Sequence, residues 1–258
     1  MSTSTVSSPS AAGGAREVNA VAPAPAAMSD VFELGRRAAA ARDARGGARG
    51  SFVRSKQLLA TGAWRGPRDA AEAYVETTDV GALGGYAAAA AAGVRLLVGP
   101  AGPADAEAHR QAARAGGRSV WRVPYRAGET ADARQARLDS LREQLRSDGA
   151  PWGVMPSPVG EPEGLDTLRV VASLRLALPE VAHVLLDVAA LGPRLAQMAL
   201  GFGGDELWAP IVSERALRLG ANANNPAMTR KEAAILIRGA GLIACERTAP
   251  DTYSEEPA

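Results

Sequence analysis

Five times along this chain a helix-forming run of small or leucine-spaced residues gives way to a short apolar run, and this alternation restricts the fold more than any other feature. Val80 to Ala92 leads through Gly93 to "VRLLVGP", and Ala104 to Ala115 leads through Gly116 and Gly117 to "RSVWRVPY". A third helix, with Leu138, Leu141 and Leu145 in helical spacing, precedes "WGVMPSPV". A fourth, with Leu168, Val171, Leu174 and Leu178, precedes "AHVLLDV", and a fifth, around Leu195, Met198 and Phe202, precedes "ELWAPI". Strands that are apolar without alternation are buried on both faces, as in a parallel sheet covered by helices. The expected class is therefore α/β: a parallel (β/α) TIM-barrel-like fold, in a partial or shortened form. A doubly wound open sheet is the alternative, although no glycine-rich phosphate fingerprint follows the early strands.

The flanks supply boundaries. Asp30 and Glu33 have capping-box spacing at the start of "VFELGRRAAAARDAR", and the glycines of "GGARG" end that helix. A short strand is expected at 51 to 59 in "SFVRSKQLL", followed by a loop, "ATGAWRGPRD", broken by Gly62, Gly66 and Pro67. Thr229 and Glu232 form a second capping box before the closing helix "RKEAAILIRGAG". Residues 1–27 are rich in Ser, Ala, Gly and Pro without an apolar stretch, so a disordered tail is expected there and not a signal peptide. The barrel domain is placed at 28–248, with Met28 an alternative start, and a flexible C-terminal tail at 249–258.

Composition narrows the function. A hydrophobic content of 47% over 258 residues supports one sizeable core. No apolar run is long enough for a membrane span, and "AAAAAAG" at 87 to 93 is too short and too weakly apolar. A net charge of +1 offers no field to gather nucleic acid. Arginine accounts for 27 of the 29 basic residues, a bias typical of GC-rich coding, so arginine clusters carry little weight as phosphate sites in the sequence alone. Cys245 is the only cysteine, which excludes an internal disulfide and fits a reducing cytoplasm.

Among the chemistry-bearing residues, His109 and His183 lie on different units without a second ligand at metal spacing, so no metal site is expected. Cys245 is read as a packed thiol, and no nucleophile elbow is present. Barrel chemistry sits where strands end at their C-termini. On that logic the ligand-binding candidates are Tyr125, Glu129, Ser157, Asp187, Asp205 and Glu206, with no residue assigned a catalytic role. Each also has a structural explanation: Glu129 starts a helix, Asp187 accepts a backbone hydrogen bond, and Asp205 caps a turn after Gly203 and Gly204.

The stretch "LGPRLAQMALGFGGDEL" resembles the Leu-Gly-Pro-Lys helix and Phe-Gly-Ala-Asp-Asp turn of the aminofutalosine synthases. These are radical SAM enzymes of the futalosine route to menaquinone and are related to the cyclic dehypoxanthinyl futalosine synthases. "DVFELGRRAAAARD", "YRAGETADARQARLDSLREQL", "LDTLRVVASLRLALPEVAH" and "MTRKEAAILIRGAGLIACER" resemble further pieces of that family in the same chain order. The resemblance implies a TIM-barrel fold, a 4Fe-4S cluster held by Cys-x-x-x-Cys-x-x-Cys, and S-adenosylmethionine.

The place corresponding to that motif reads "ATGAWRGPRDAAEAY", without a cysteine. Trp, Arg and Asp cannot replace thiolates on iron, so no cofactor is expected and radical SAM activity is not expected. Only one helix separates "VRLLVGP" from "RSVWRVPY", where the family has more units, which implies a shortened barrel with uncovered sheet edges. The resulting expectation is a degenerate, cytoplasmic bacterial pseudoenzyme acting as a non-catalytic partner or scaffold. It would pair with an intact radical SAM relative or with itself, and not with nucleic acid or membrane. The alternative is an iron-independent nucleoside or S-adenosylmethionine binder that uses the acidic residues at strand ends.

Overall fold

The structure is a computed structural model that describes residues 30–53, 73–76, 85, 87–88, 94–98, 103–213, 227–249 and 252–255. Helix α1 (Val31–Gly46) leads to β1 (Arg49–Phe52), and β2 (Ala73–Glu76) and β3 (Val94–Val98) follow. Three helix–strand pairs come next: α2 (Pro103–Arg114) with β4 (Arg118–Tyr125), α3 (Ala131–Asp148) with β5 (Gly153–Pro158), and α4 (Gly164–Ala177) with β6 (His183–Asp187). Beyond them lie α5 (Val188–Leu191), α6 (Pro193–Leu200), β7 (Glu206–Trp208), β8 (Ile211–Val212), β9 (Met228–Thr229), α7 (Arg230–Gly239), β10 (Ile243–Ala249) and β11 (Thr252–Glu255).

Nine strands form one sheet in the order β11-β10-β1-β7-β6-β5-β4-β3-β2, while β8 and β9 make a separate parallel pair. Every contact in the large sheet is parallel except that between β10 and β11. The fold is thus a mostly parallel α/β sheet, and among the described residues it does not close: β2 and β11 are its two edges. Strand β1 is inserted between β7 and β10, far from its neighbours in the chain.

Strand pleating gives the sheet two differently used faces. One carries Phe52, Trp121, Tyr125, Val154, Leu186 and Leu207, and joins Leu168, Leu174 and Ile237 of the helices in the main core. Burial of each such side chain contributes about 1.5–3 kcal/mol. The other face carries Val120, Met155, Leu185 and Trp208, with Trp152 packed against them. Helices α1 and α4 meet through Leu34, Ala38 and Ala172, with Gly35 lying under the ring of Phe202.

The helix ends follow the local rules. Thr229 Oγ1 accepts from the Glu232 amide at 3.1 Å while the Glu232 carboxylate accepts from the Thr229 amide at 2.7 Å, so the reciprocal box forms. At α1 only half of it does. Asp30 Oδ1 accepts from the amides of Phe32 and Glu33, but Glu33 turns to Arg36 at 2.7 Å.

Several sequence expectations shift. The strand expected at 51 to 59 begins earlier and is described only to Phe52, and most of the helix expected at 80–92 lies outside the described residues, as do residues 1–27. The loop expected at "ATGAWRGPRD" lies outside the described residues, and β2, "AYVE", is a strand the sequence reading did not expect. Part of the expected tail at 249–258 is β11, held by antiparallel pairing of Tyr253 with Arg247 and of Glu255 with Cys245.

Candidate functional site

The six candidate residues do not converge. Tyr125 ends β4 but points to the helical side, where its hydroxyl meets Thr167 Oγ1 of α4 at 2.6 Å. Burial holds the phenol neutral by raising its pKa, more than Thr167 lowers it, so Tyr125 anchors a helix and faces no solvent. Glu129 clips its own loop: Oε1 accepts from the Arg126 amide at 2.9 Å and Oε2 pairs with Arg137.

Asp205 and Glu206 correct the strand-end logic most clearly. They stand at the N-terminal start of β7 and not at a C-terminal end. Their side chains also take separate partners. Asp205 Oδ1 accepts from the Val184 amide at 2.8 Å and lies 3.2 Å from Arg175 Nη2, while Oδ2 meets His183 Nδ1 at 3.1 Å. Burial pushes this carboxyl up, but Arg175, His183 and the Val184 amide outweigh it and hold the pKa at about 2. Glu206 is almost fully buried and is bound by Arg247 of β10 and by the Ser51 hydroxyl of β1 at 3.0 Å.

Ser157 and Asp187 share the second face of the sheet toward the strand C-termini. Ser157 alternates with Met155, and Asp187 stands opposite Trp208 in the register of β6 and β7. The Ser157 hydroxyl donates to the Met155 carbonyl at 3.2 Å. Asp187 caps α5, accepting from the amides of Ala189 at 2.9 Å and Ala190 at 3.3 Å. Burial raises its pKa, against those amides and the charge of Arg122, leaving a carboxyl readier than usual to hold a proton.

Sequence reasoning missed the basic partners. Arg247 and Arg175 are buried, yet each looks in the sequence like one more arginine of a biased composition. The one available signal for Arg247 is a charged pair inside the apolar run "LIACER". Arg42, Arg45, Arg49 and Arg175 converge with His183 and Asp205 on a cavity of about 280 Å³ near the N-terminal ends of β1 and β6.

Comparisons with known proteins bear on this architecture. No protein-family model matches the chain. It is 29% identical over 157 residues to aminodeoxyfutalosine synthase of Thermus thermophilus, covering 55% of this chain and 42% of that protein. It is 30% identical over 137 residues to a 5-amino-6-(D-ribitylamino)uracil–L-tyrosine 4-hydroxyphenyl transferase of Methanosarcina barkeri, covering 46% and 36%. The crystal structure of methylornithine synthase superposes with a TM-score of 0.55 at 12% identity, over 82% of this chain and 88% of that one. The chain is distantly similar to radical SAM enzymes. The matches span less than half the length of either curated relative, and the structural likeness speaks for the fold alone.

The donor set does not fit the iron–sulfur cluster of radical SAM enzymes. The chain has one cysteine, Cys245, which is wholly buried in β10 with its thiol 3.8 Å from the Ile243 carbonyl. One thiol cannot supply the several thiolates a cluster needs. Among the described residues no three His, Cys, Asp or Glu side chains gather as metal ligands. Residues 60–72, most of the stretch that corresponds to the cluster motif, lie outside the described residues.

Proposed function

We propose that the chain is a shortened relative of aminofutalosine synthase that performs no radical chemistry and serves as a non-catalytic partner or scaffold. The observation that carries the reading is the donor set: a single thiol, buried and far in the sequence from the place where the family binds its cluster. The internal neutralisation of Glu129, Asp205 and Glu206 by Arg137, Arg175 and Arg247 supports it, because those three carboxylates are bound within the framework. The partner would be an intact radical SAM relative in menaquinone synthesis, or a second copy, meeting the β2 or β11 edge. Anaerobic reconstitution with iron and sulfide tests this reading. The protein should emerge without a bound cluster. A stoichiometric 4Fe-4S chromophore that reduces with dithionite overturns the proposal.

Asp187 favours a second reading. Its raised pKa beside Arg122, on the face shared with Ser157 and Trp208, suits an iron-independent binder of a nucleoside or of S-adenosylmethionine that uses one acid–base group. A ligand at a hundredfold its Kd stabilises the folded state by about 2.7 kcal/mol. A thermal-shift series with adenosine, S-adenosylmethionine and futalosine compounds therefore decides it, and no response from any of them rejects it.

A further inference from the structure

The cavity at the N-terminal ends of β1 and β6 is built differently from the strand-end candidates and is independent of the function proposed above. Arg42 and Arg45 reach it from α1, Arg49 from β1 and Arg175 from α4. Sequence composition argued against reading arginine clusters as anion sites. The structure brings four of them, from three elements, to one concavity.

Their charges are incompletely balanced. Arg42 pairs with Asp43 at 2.8 Å and Arg175 with Asp205 at 3.2 Å. Arg45 donates only to carbonyls, those of Pro179, Glu180 and Val181. These neutral partners fix its position without cancelling its charge. Arg49 is exposed, and its side chain makes no hydrogen bond or ion pair among the described residues. Two unneutralised guanidiniums therefore face one cavity.

The remaining lining adds donors of a matching kind. His183 is oriented by Asp205 at Nδ1 and by Trp152, whose ring lies 4.2 Å away, and its Nε2 has no hydrogen-bond partner among the described residues. Arg175 Nη2 is likewise buried without a directed hydrogen bond, although it lies near Asp205. A cavity of about 280 Å³ holds more than a bare oxyanion and approaches the smallest ordinary metabolite sites, about 300 Å³. Tyr253 and Ala182 complete the wall beside the charged groups.

We propose that this cavity binds a small organic phosphate monoester, its dianion held by Arg49 and Arg45 and its carbon skeleton resting toward Tyr253. A phosphate monoester carries close to two negative charges at neutral pH, which matches the two uncompensated guanidiniums, and arginine forks suit its oxygens.

Calorimetric titration of the full chain with glycerol 3-phosphate, ribose 5-phosphate, orthophosphate and sulfate tests the assignment. At least one ester should bind with millimolar or better Kd and more tightly than either inorganic anion. Because the Arg49 side chain has no internal partner among the described residues, Arg49→Gln should leave the unliganded Tm unchanged and weaken ester binding by about tenfold, and Arg49→Glu should abolish it. The surface control Arg146→Gln should bind as the unaltered protein does. Ester binding retained in Arg49→Glu, equal binding of sulfate and esters, or no binding of any ester at about 10 mM overturns the proposal.

Discussion

Glu206 and Arg247 join β7 to β10 across the intervening β1 by a two-pronged ion pair, Nε to Oε2 at 2.8 Å and Nη2 to Oε1 at 2.7 Å, with both side chains out of reach of solvent. Ser51 of β1 donates to the same Oε2, and the Trp152 ring lies 4.6 Å from the guanidinium carbon. Three strands remote in sequence are thus tied at one point. Glu206→Leu takes from Arg247, which stays charged and buried, its paired carboxylate, and should cost about 3–5 kcal/mol in urea denaturation. Replacing both residues, as Glu206→Leu with Arg247→Met, should recover most of that loss, since an apolar pair avoids the desolvation of two charges.

Acid should loosen the chain through Asp205. Its carboxyl falls from 3.8 to about 2 in the folded state, so its contribution is fully present above about pH 4 and is lost as pH drops toward 2. The shift corresponds to roughly 2 kcal/mol. Stability curves between pH 5 and pH 2 should therefore be flatter for Asp205→Asn than for the unaltered protein. The same variant should be less stable at pH 7, because Arg175 then lacks its counter-charge.

Tyr125 separates a structural role from a ligand-binding one. Tyr125→Phe removes the hydroxyl that meets Thr167 and should cost about 1–2 kcal/mol of stability, from one lost buried hydrogen bond and one unsatisfied hydroxyl. Any ligand found for the protein should bind this variant with unchanged Kd.

At the other end of the chain, Thr229→Ala opens the capping box of α7 and should lower stability by about 0.5–2 kcal/mol. Thr229→Ser keeps the hydroxyl and should restore nearly all of it. Thermal denaturation of the two variants side by side provides the measurement.

The sequence made β4, β5, β6 and α2 to α4 legible because each is a local pattern, an apolar run or a leucine spacing bounded by glycine. Strands β2, "AYVE", and β11, "TYSE", escaped notice because a four-residue edge strand with a charged end has no periodicity to detect. The insertion of β1 between β7 and β10 depends on packing across more than 150 residues and leaves no local trace. The candidate acids were found as residue types at element ends, but their meaning lay in partners 8, 30 and 41 positions away: Arg137, Arg175 and Arg247. Adjacent acids in sequence, Asp205 and Glu206, pointed to one site. Strand pleating sends neighbours apart, and the two carboxylates belong to different clusters.

Strand β11 decides what kind of openness this sheet has. Because β11 runs against β10 and all other strands follow β10, bringing β2 round to β11 would create an antiparallel seam where a (β/α) cylinder requires a parallel one. A cylinder closed at that seam would therefore be mixed and not wholly parallel. A wholly parallel closure would need β11, the last four described residues, to leave the edge of β10.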